Sequence, residues 1–237
     1  MPEIFTMDNG YMPWLSLATA AFEITAAIWV ISGPGRPGIV RRTALLLLVL
    51  AGYQLAEVWV CANPDHVLRS QLAFCDIIWL PTLSASLLCQ YNGGAPRWIR
   101  VLVRLCYVYC AGVCVWVLTH PDPFIGTICS TVLATFQRGS MGFQVAFGGF
   151  YEAGMFAMLL GAAGVMKRSE DPVTRAHAAD LQMGSIGFIV PAFLTQVAWQ
   201  SLDPSLPSLM CHYALVLAIF LVRASVRERR RARTAAT

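Results

Sequence analysis

Seven times along its length this chain presents a run of about twenty mostly apolar residues, the length of α-helix that crosses a hydrocarbon core about 30 Å thick. The runs occupy 11–32, 43–61, 71–90, 98–119, 144–167, 178–200 and 206–225. Clusters of breakers fall between them, among them Gly33-Pro34-Gly35-Arg36-Pro37-Gly38, Asn63-Pro64-Asp65, Asn92-Gly93-Gly94-Ala95-Pro96 and His120-Pro121-Asp122-Pro123. Of the 237 residues 57% are hydrophobic and 13% charged, with a mean hydropathy of +0.60. A soluble domain carries about 25% charged residues, so the composition is that of a chain dissolved in lipid. Too little remains outside the runs for a separate catalytic, nucleotide-binding or DNA-binding module. The sequence therefore reads as an all-α membrane protein: a seven-transmembrane-helix bundle over 1–226 and a basic cytoplasmic tail over 227–237. Met1 to Met12 carries Glu3 and Asp8 and no Lys or Arg, unlike a signal peptide, so the first helix is expected to be retained.

Charge sets the expected orientation. With the N-terminus outside and the C-terminus cytoplasmic, one side collects Arg36, Arg41, Arg42, Arg97, Arg100, Arg104, Lys167, Arg168, Arg175, Arg223, Arg227, Arg229, Arg230, Arg231 and Arg233, and the other only Arg69 and Arg138. That bias is what the positive-inside rule requires of a multi-pass protein of the plasma (inner) membrane. Anionic lipid explains the basic tail without nucleic acid, and the same basic inner face is where a cytoplasmic partner would dock.

The topology places Cys61, Cys75, Cys129 and Cys211 on the outer side, which is oxidising at a plasma membrane. The expected disulfides are Cys61–Cys75, closing a short loop, and Cys129–Cys211, stapling the long fourth connection over the bundle; free buried thiols are the alternative. Cys106, Cys110 and Cys114 recur every four residues on one helix face beside Ala111 and Gly112. That suits close helix packing better than a soft metal such as Cu(I).

Ionisable residues inside a span are costly and by default face the interior and mark function. Glu23, Glu57, Asp76, Glu152 and His212 qualify, and Gln54, Gln196, Tyr53, Tyr151 and Tyr213 accompany them. Counting about 1.5 Å per residue from the centre of each run puts Glu23 near the midplane and the others about 6–8 Å outward, in one layer. With no Lys or Arg in that layer, either some carboxyls are protonated or a positive species sits among them. Glu57, Asp76, Glu152 and His212 are ligand types for a divalent metal ion such as zinc, manganese or iron. Alternatively, Trp29, Trp59, Trp79 and Trp199 would box an organic cation. Pro81 and Pro191 are expected to kink their helices just below the layer.

Short landmarks repeat in order. Phe22-Glu23 matches Tyr151-Glu152, Gln54-Leu55-Ala56 matches Gln196-Val197-Ala198, and Cys75-Asp76 matches Cys211-His212. They suggest two parallel three-helix halves joined by the fourth span, a 3+1+3 internal repeat. His66, His120 and His177 fall in loops or at span ends and are not enlisted. No His-Glu-x-x-His, phosphate-cradling glycine loop, Gly-x-Ser-x-Gly or Cys-x-x-Cys is present.

The outside N-terminus, seven spans and a cysteine atop the third span resemble rhodopsin-type seven-helix proteins in layout. Leu206 to Ser225 contains no lysine, so a retinal Schiff base has no attachment point and no retinal is expected. The 3+1+3 layout is similar to that of small sugar transporters with parallel repeats, without any of their motifs. The histidine-rich signatures of seven-helix ceramidase-like hydrolases are absent.

The functional expectation is a receptor- or sensor-like module binding a cation or cationic small ligand in an outward-opening acidic pocket formed by Glu23, Gln54, Glu57, Asp76, Tyr151, Glu152, Gln196 and His212. A transporter using the same site and an intramembrane metal-dependent enzyme, with Glu57 or Glu152 as base, are the alternatives.

Overall fold

Among the described residues, six helices are long and apolar enough to cross a membrane: Trp14–Ile31, Pro37–Ala62, Val67–Tyr91, Arg97–Thr119, Met141–Arg168 and Pro172–Thr195. The computed structural model describes residues 12–91, 96–120, 124–129, 134–138, 141–198 and 213–235.

The first helix, α1 (Trp14–Ile31), buries Ser16, Thr19, Ala20, Glu23, Ala26, Ala27 and Val30. Steps of three and four place these on one face, and their small size lets α2 (Pro37–Ala62) pack closely against it. The opposite face turns Trp14, Phe22 and Ile28 outward. Helix α2 begins on Pro37, whose missing N–H costs nothing in a first turn. It packs on α1, on α3 (Val67–Ile77) and on α4 (Trp79–Tyr91), so it runs through the middle of the bundle.

The third apolar run is broken at Ile78, between α3 and α4. Pro81 explains the position: it has no N–H to give and its ring crowds the carbonyl four residues back, that of Ile77. Thiols of α5 (Arg97–Thr119) take up carbonyls flanking the break, Cys110 Sγ donating to Ile78 O at 3.4 Å and Cys114 Sγ to Cys75 O at 3.5 Å. The cysteine face of α5 thus packs against α3 and α4. Only 22% of the apolar window of α5 is buried, with Val101, Leu105, Val108 and Val115 outward.

The fourth connection holds an antiparallel hairpin, β1 (Phe124–Cys129) with β2 (Ala134–Arg138), which an all-helical expectation did not include. Cys129 of β1 is disulfide-bonded to Cys61, at the end of α2. This corrects the expected pairing. The connection is stapled, but to Cys61; Cys75 is a free thiol and Cys211 lies outside the described residues.

A short helix α6 (Met141–Phe143) leads through a π-helical turn, Gln144–Gly149, into α7 (Phe150–Arg168). The wider turn aligns Phe143, Phe147 and Tyr151 in a ring stack with centroids 5.3 and 5.9 Å apart, and Phe74 of α3 meets Phe147 edge-on at 4.8 Å. Helix α7 also packs on α4, where Gly154 leaves the space that the Pro81 ring fills. Helix α8 (Pro172–Ala198) runs unbroken through Pro191 and packs on α7 and on α9 (Ala214–Thr234), and α9 returns to α1. The basic segment expected as a tail from residue 227 continues α9 as helix to Thr234.

Candidate functional site

The carboxylates singled out in the sequence separate into different environments. Glu23 and Glu57 are both 0% exposed, and Gln54, Tyr53 and Tyr151 are buried with them. Asp76 is half-buried, and its Oδ1 would stand 2.7 Å from a Cβ at Gly52, so this glycine makes room for the acid against α2. Glu152 is exposed on α7, on the outside of the bundle and away from the interior. The side chain of Gln196 and the whole of His212 lie outside the described residues.

The three inward acids do not share one depth. At about 1.5 Å per residue, Glu23 stands about 12 Å from Ile31, where α1 ends, whereas Glu57 stands about 30 Å from Pro37, where α2 begins beside it. Asp76 lies level with Gly52, about 22 Å from Pro37. The acids are therefore staggered through the bundle. Counting from the centre of each apolar run misjudged this because α2 extends well beyond its apolar run at the Pro37 end while α1 does not extend beyond its own at Ile31.

Satisfaction differs as well. Neither oxygen of Glu23 has a hydrogen-bond partner among the described residues, and Asp76 Oδ2 has none. No three His, Cys, Asp or Glu side chains among the described residues converge as a metal ion would need, so Glu57, Asp76 and Glu152 do not form the expected metal centre there. Of the tryptophans expected to box an organic cation, the two that lie nearest to arginines do not line the interior. Trp29 and Trp59 are exposed and carry guanidinium groups of this chain over their rings, Arg229 at 3.6 Å and Arg69 at 5.1 Å; Trp199 lies outside the described residues. The repeat landmarks take opposite positions: Phe22 is exposed and Glu23 buried, whereas Tyr151 is buried and Glu152 exposed.

A second polar cluster, missed in the sequence, occupies the basic end. Glu228 of α9 is 3% exposed and receives Arg36 three times: the backbone N–H at 2.9 Å, Nε at 2.8 Å and Nη2 at 2.9 Å. His177 of α8 is fully buried beside it, with Nδ1 3.8 Å from Glu228 Oε2 and its ring 5.5 Å from that of Tyr91. Asp180 pairs with Arg223 at 3.2 Å and Arg227 at 3.1 Å, and Asp171 with Arg231 at 2.8 Å. Asp171 also caps α8 through the N–H groups of Val173 and Thr174. The Thr174 hydroxyl, these amides and Arg231 hold its carboxyl down at about 2. Burial by itself would raise Glu228, but the Arg36 bonds outweigh it and keep the carboxyl below its ordinary value.

The signal for this cluster was present. Arg223, Arg227 and Arg231 recur every four residues and so line one helix face, and Glu228 is the lone acid in an otherwise basic run. Reading the run as a lipid-facing stop hid it. A recess at this end, lined by Val30, Ile39, Ser225 and Glu228, borders the basic cluster rather than Glu23.

The chain matches no protein-family model and no curated protein sequence.

Proposed function

We propose that this protein is a seven-helix membrane module, N-terminus outside and C-terminus cytoplasmic in a plasma membrane, that binds a singly charged cation at Glu23. The observation that carries the reading is Glu23 itself: a carboxyl wholly inside the bundle with both oxygens lacking a hydrogen-bond partner among the described residues. An ionised carboxylate in that setting needs a counter-charge, and a neutral one needs a proton, so the site exchanges protons with cations. Thr19, one turn earlier on the same buried face, supplies a neutral oxygen at helical spacing. Without a convergent third ligand among the described residues, a monovalent or organic cation suits the site better than a divalent metal. The seventh span is the apolar run 206–225, of which α9 forms the inner part, and the gathering of arginines at the Arg36–Glu228 end supports the orientation.

The receptor reading places the output at the basic end, where a cytoplasmic partner would meet the arginines. The stagger of Glu57, Asp76 and Glu23 favours a second reading, transport of a proton or small cation along α2, because acids at successive depths form a relay rather than a single pocket.

The test is thermal unfolding of the purified protein in detergent, titrated with sodium, potassium, tetramethylammonium and protons. At least one is expected to raise Tm in wild type and to have no effect in Glu23→Gln. An equal shift in Glu23→Gln refutes the site. Cation-dependent pH change inside proteoliposomes separates transport from sensing.

A further inference from the structure

The disulfide between Cys61 and Cys129 leaves Cys75 without the partner that its position on the outer side suggested, and α5 supplies another. Cys75 of α3 and Cys114 of α5 face each other reciprocally: Cys75 Sγ donates to Cys114 O at 3.7 Å, and Cys114 Sγ to Cys75 O at 3.5 Å. Each thiol thus lies against the other residue's backbone carbonyl. Crossed contacts of this kind bring two cysteines of adjacent helices side by side, the arrangement from which a disulfide is formed. Cys110, one turn along α5, is engaged differently, with its thiol on Ile78 O and beside Thr82 Oγ1, so it does not compete for Cys75. Both Cys75 and Cys114 are half-buried, and in the proposed topology both sit in the half of the bundle that carries Cys61–Cys129.

We infer that Cys75 and Cys114 are a redox-active dithiol that closes to a second disulfide, joining α3 to α5. The reaction is thiol–disulfide exchange with a disulfide-bearing oxidant, small-molecule or protein. One cysteine thiolate attacks the oxidant's disulfide, releases one thiol and forms a mixed disulfide. The other cysteine thiolate then attacks the cysteine sulfur of that bond, the Cys75–Cys114 bond forms, and the second thiol leaves. Two protons and two electrons pass from the cysteines to the oxidant, which departs as two thiols. The bond would fasten the least buried of the long helices, α5, to α3 immediately beside Asp76 and the Ile78 break. Oxidation would thus fix the segment that carries the Asp76 carboxyl against α2. The inference rests on this thiol geometry and stands whether or not Glu23 binds a cation.

The experiment uses the full chain in detergent micelles, gently reduced and then exposed to 4,4′-dithiodipyridine, which enters apolar surroundings. After denaturation and alkylation with N-ethylmaleimide, peptide mass spectrometry is expected to find a peptide pair linked through Cys75 and Cys114 and a corresponding loss of both alkylated forms. In Cys114→Ser, Cys75 is expected to carry one thiopyridyl group instead of a cross-link, and Cys75→Ser is expected to do the converse at Cys114. Circular dichroism of both variants checks that the helices remain. Cys75 and Cys114 that stay alkylated in the folded protein, while the same oxidant links thiols in the SDS-denatured chain, would overturn the inference. Linkage of Cys75 to Cys106 or Cys110 would overturn it equally.

Discussion

Glu228 and Glu23 are buried to nearly the same extent, 3% and 0% exposed, in opposite circumstances. Glu228 accepts a backbone N–H and two guanidinium bonds from Arg36 and has His177 beside it. Glu23 has none among the described residues, and its face of α1 is otherwise Ser, Thr, Ala and Val. A buried charge with its partners supplied fixes one arrangement of elements, here the start of α2 against α9. A buried acid without them contributes nothing comparable to the fold and is held there by the packing around it. The basic end of the bundle is therefore structural, and the interior acids carry the function we propose.

Removing the charge of Glu228 should separate the two most sharply. Glu228→Ala leaves Arg36 without its acceptor, and because the Arg36 side chain is 36% exposed and can return to water, the expected loss is on the order of 2–3 kcal/mol rather than more. Thermal unfolding in detergent measures it; an unchanged Tm would deny the cluster its structural role. Next in size, Gly52→Ala forces a Cβ to within 2.7 Å of Asp76 Oδ1, an overpacking that should cost about 1–3 kcal/mol. A neutral outcome would mean that Asp76 turns away freely. Glu23→Gln should change stability by less than about 0.5 kcal/mol in either direction while abolishing any cation response. A large destabilisation would place Glu23 among the structural acids and erase the contrast.

The smallest effect is a pH dependence. Asp171 titrates near 4 in an unfolded chain and at about 2 in the folded one. Because the folded value is the lower, its stabilisation is complete above about 4 and disappears as the pH falls from about 4 to about 2. Glu228, also held below its ordinary value, loses its contribution in the same direction. Asp171→Asn should flatten this acid limb measurably but slightly, since the side chain is 35% exposed. An unaltered acid limb would remove Asp171 from the network at the basic end.

Much of the fold was legible because the membrane imposes a simple rule on length and polarity. The first six apolar runs correspond to the six long helices, and Pro81 marked where the third is interrupted. Glu23 and Glu57 were legible as buried acids because a charge amid apolar residues has few other places to go. Glu152 obeyed the same sequence rule and lies outside, since a lone residue on a helix of low amphipathicity gives no phase by which to tell inside from out. His177 and Glu228 stayed hidden because their pairing joins residues 36, 177 and 228, and no local pattern encodes such distances.

By itself the sequence determined a mainly helical chain with helices long and apolar enough to cross a membrane, the gathering of most of its arginines in one set of connections, and the burial of Glu23 and Glu57. Only the tertiary structure decided that Cys61 bonds Cys129, that Cys75 meets Cys114, that Arg36 belongs to Glu228, and that the interior acids stand at different depths. The physical reason is that hydropathy and charge are properties of a residue and its near neighbours along the chain. Pairing and depth depend on how far each helix extends beyond its apolar run and on which of its faces meets another helix.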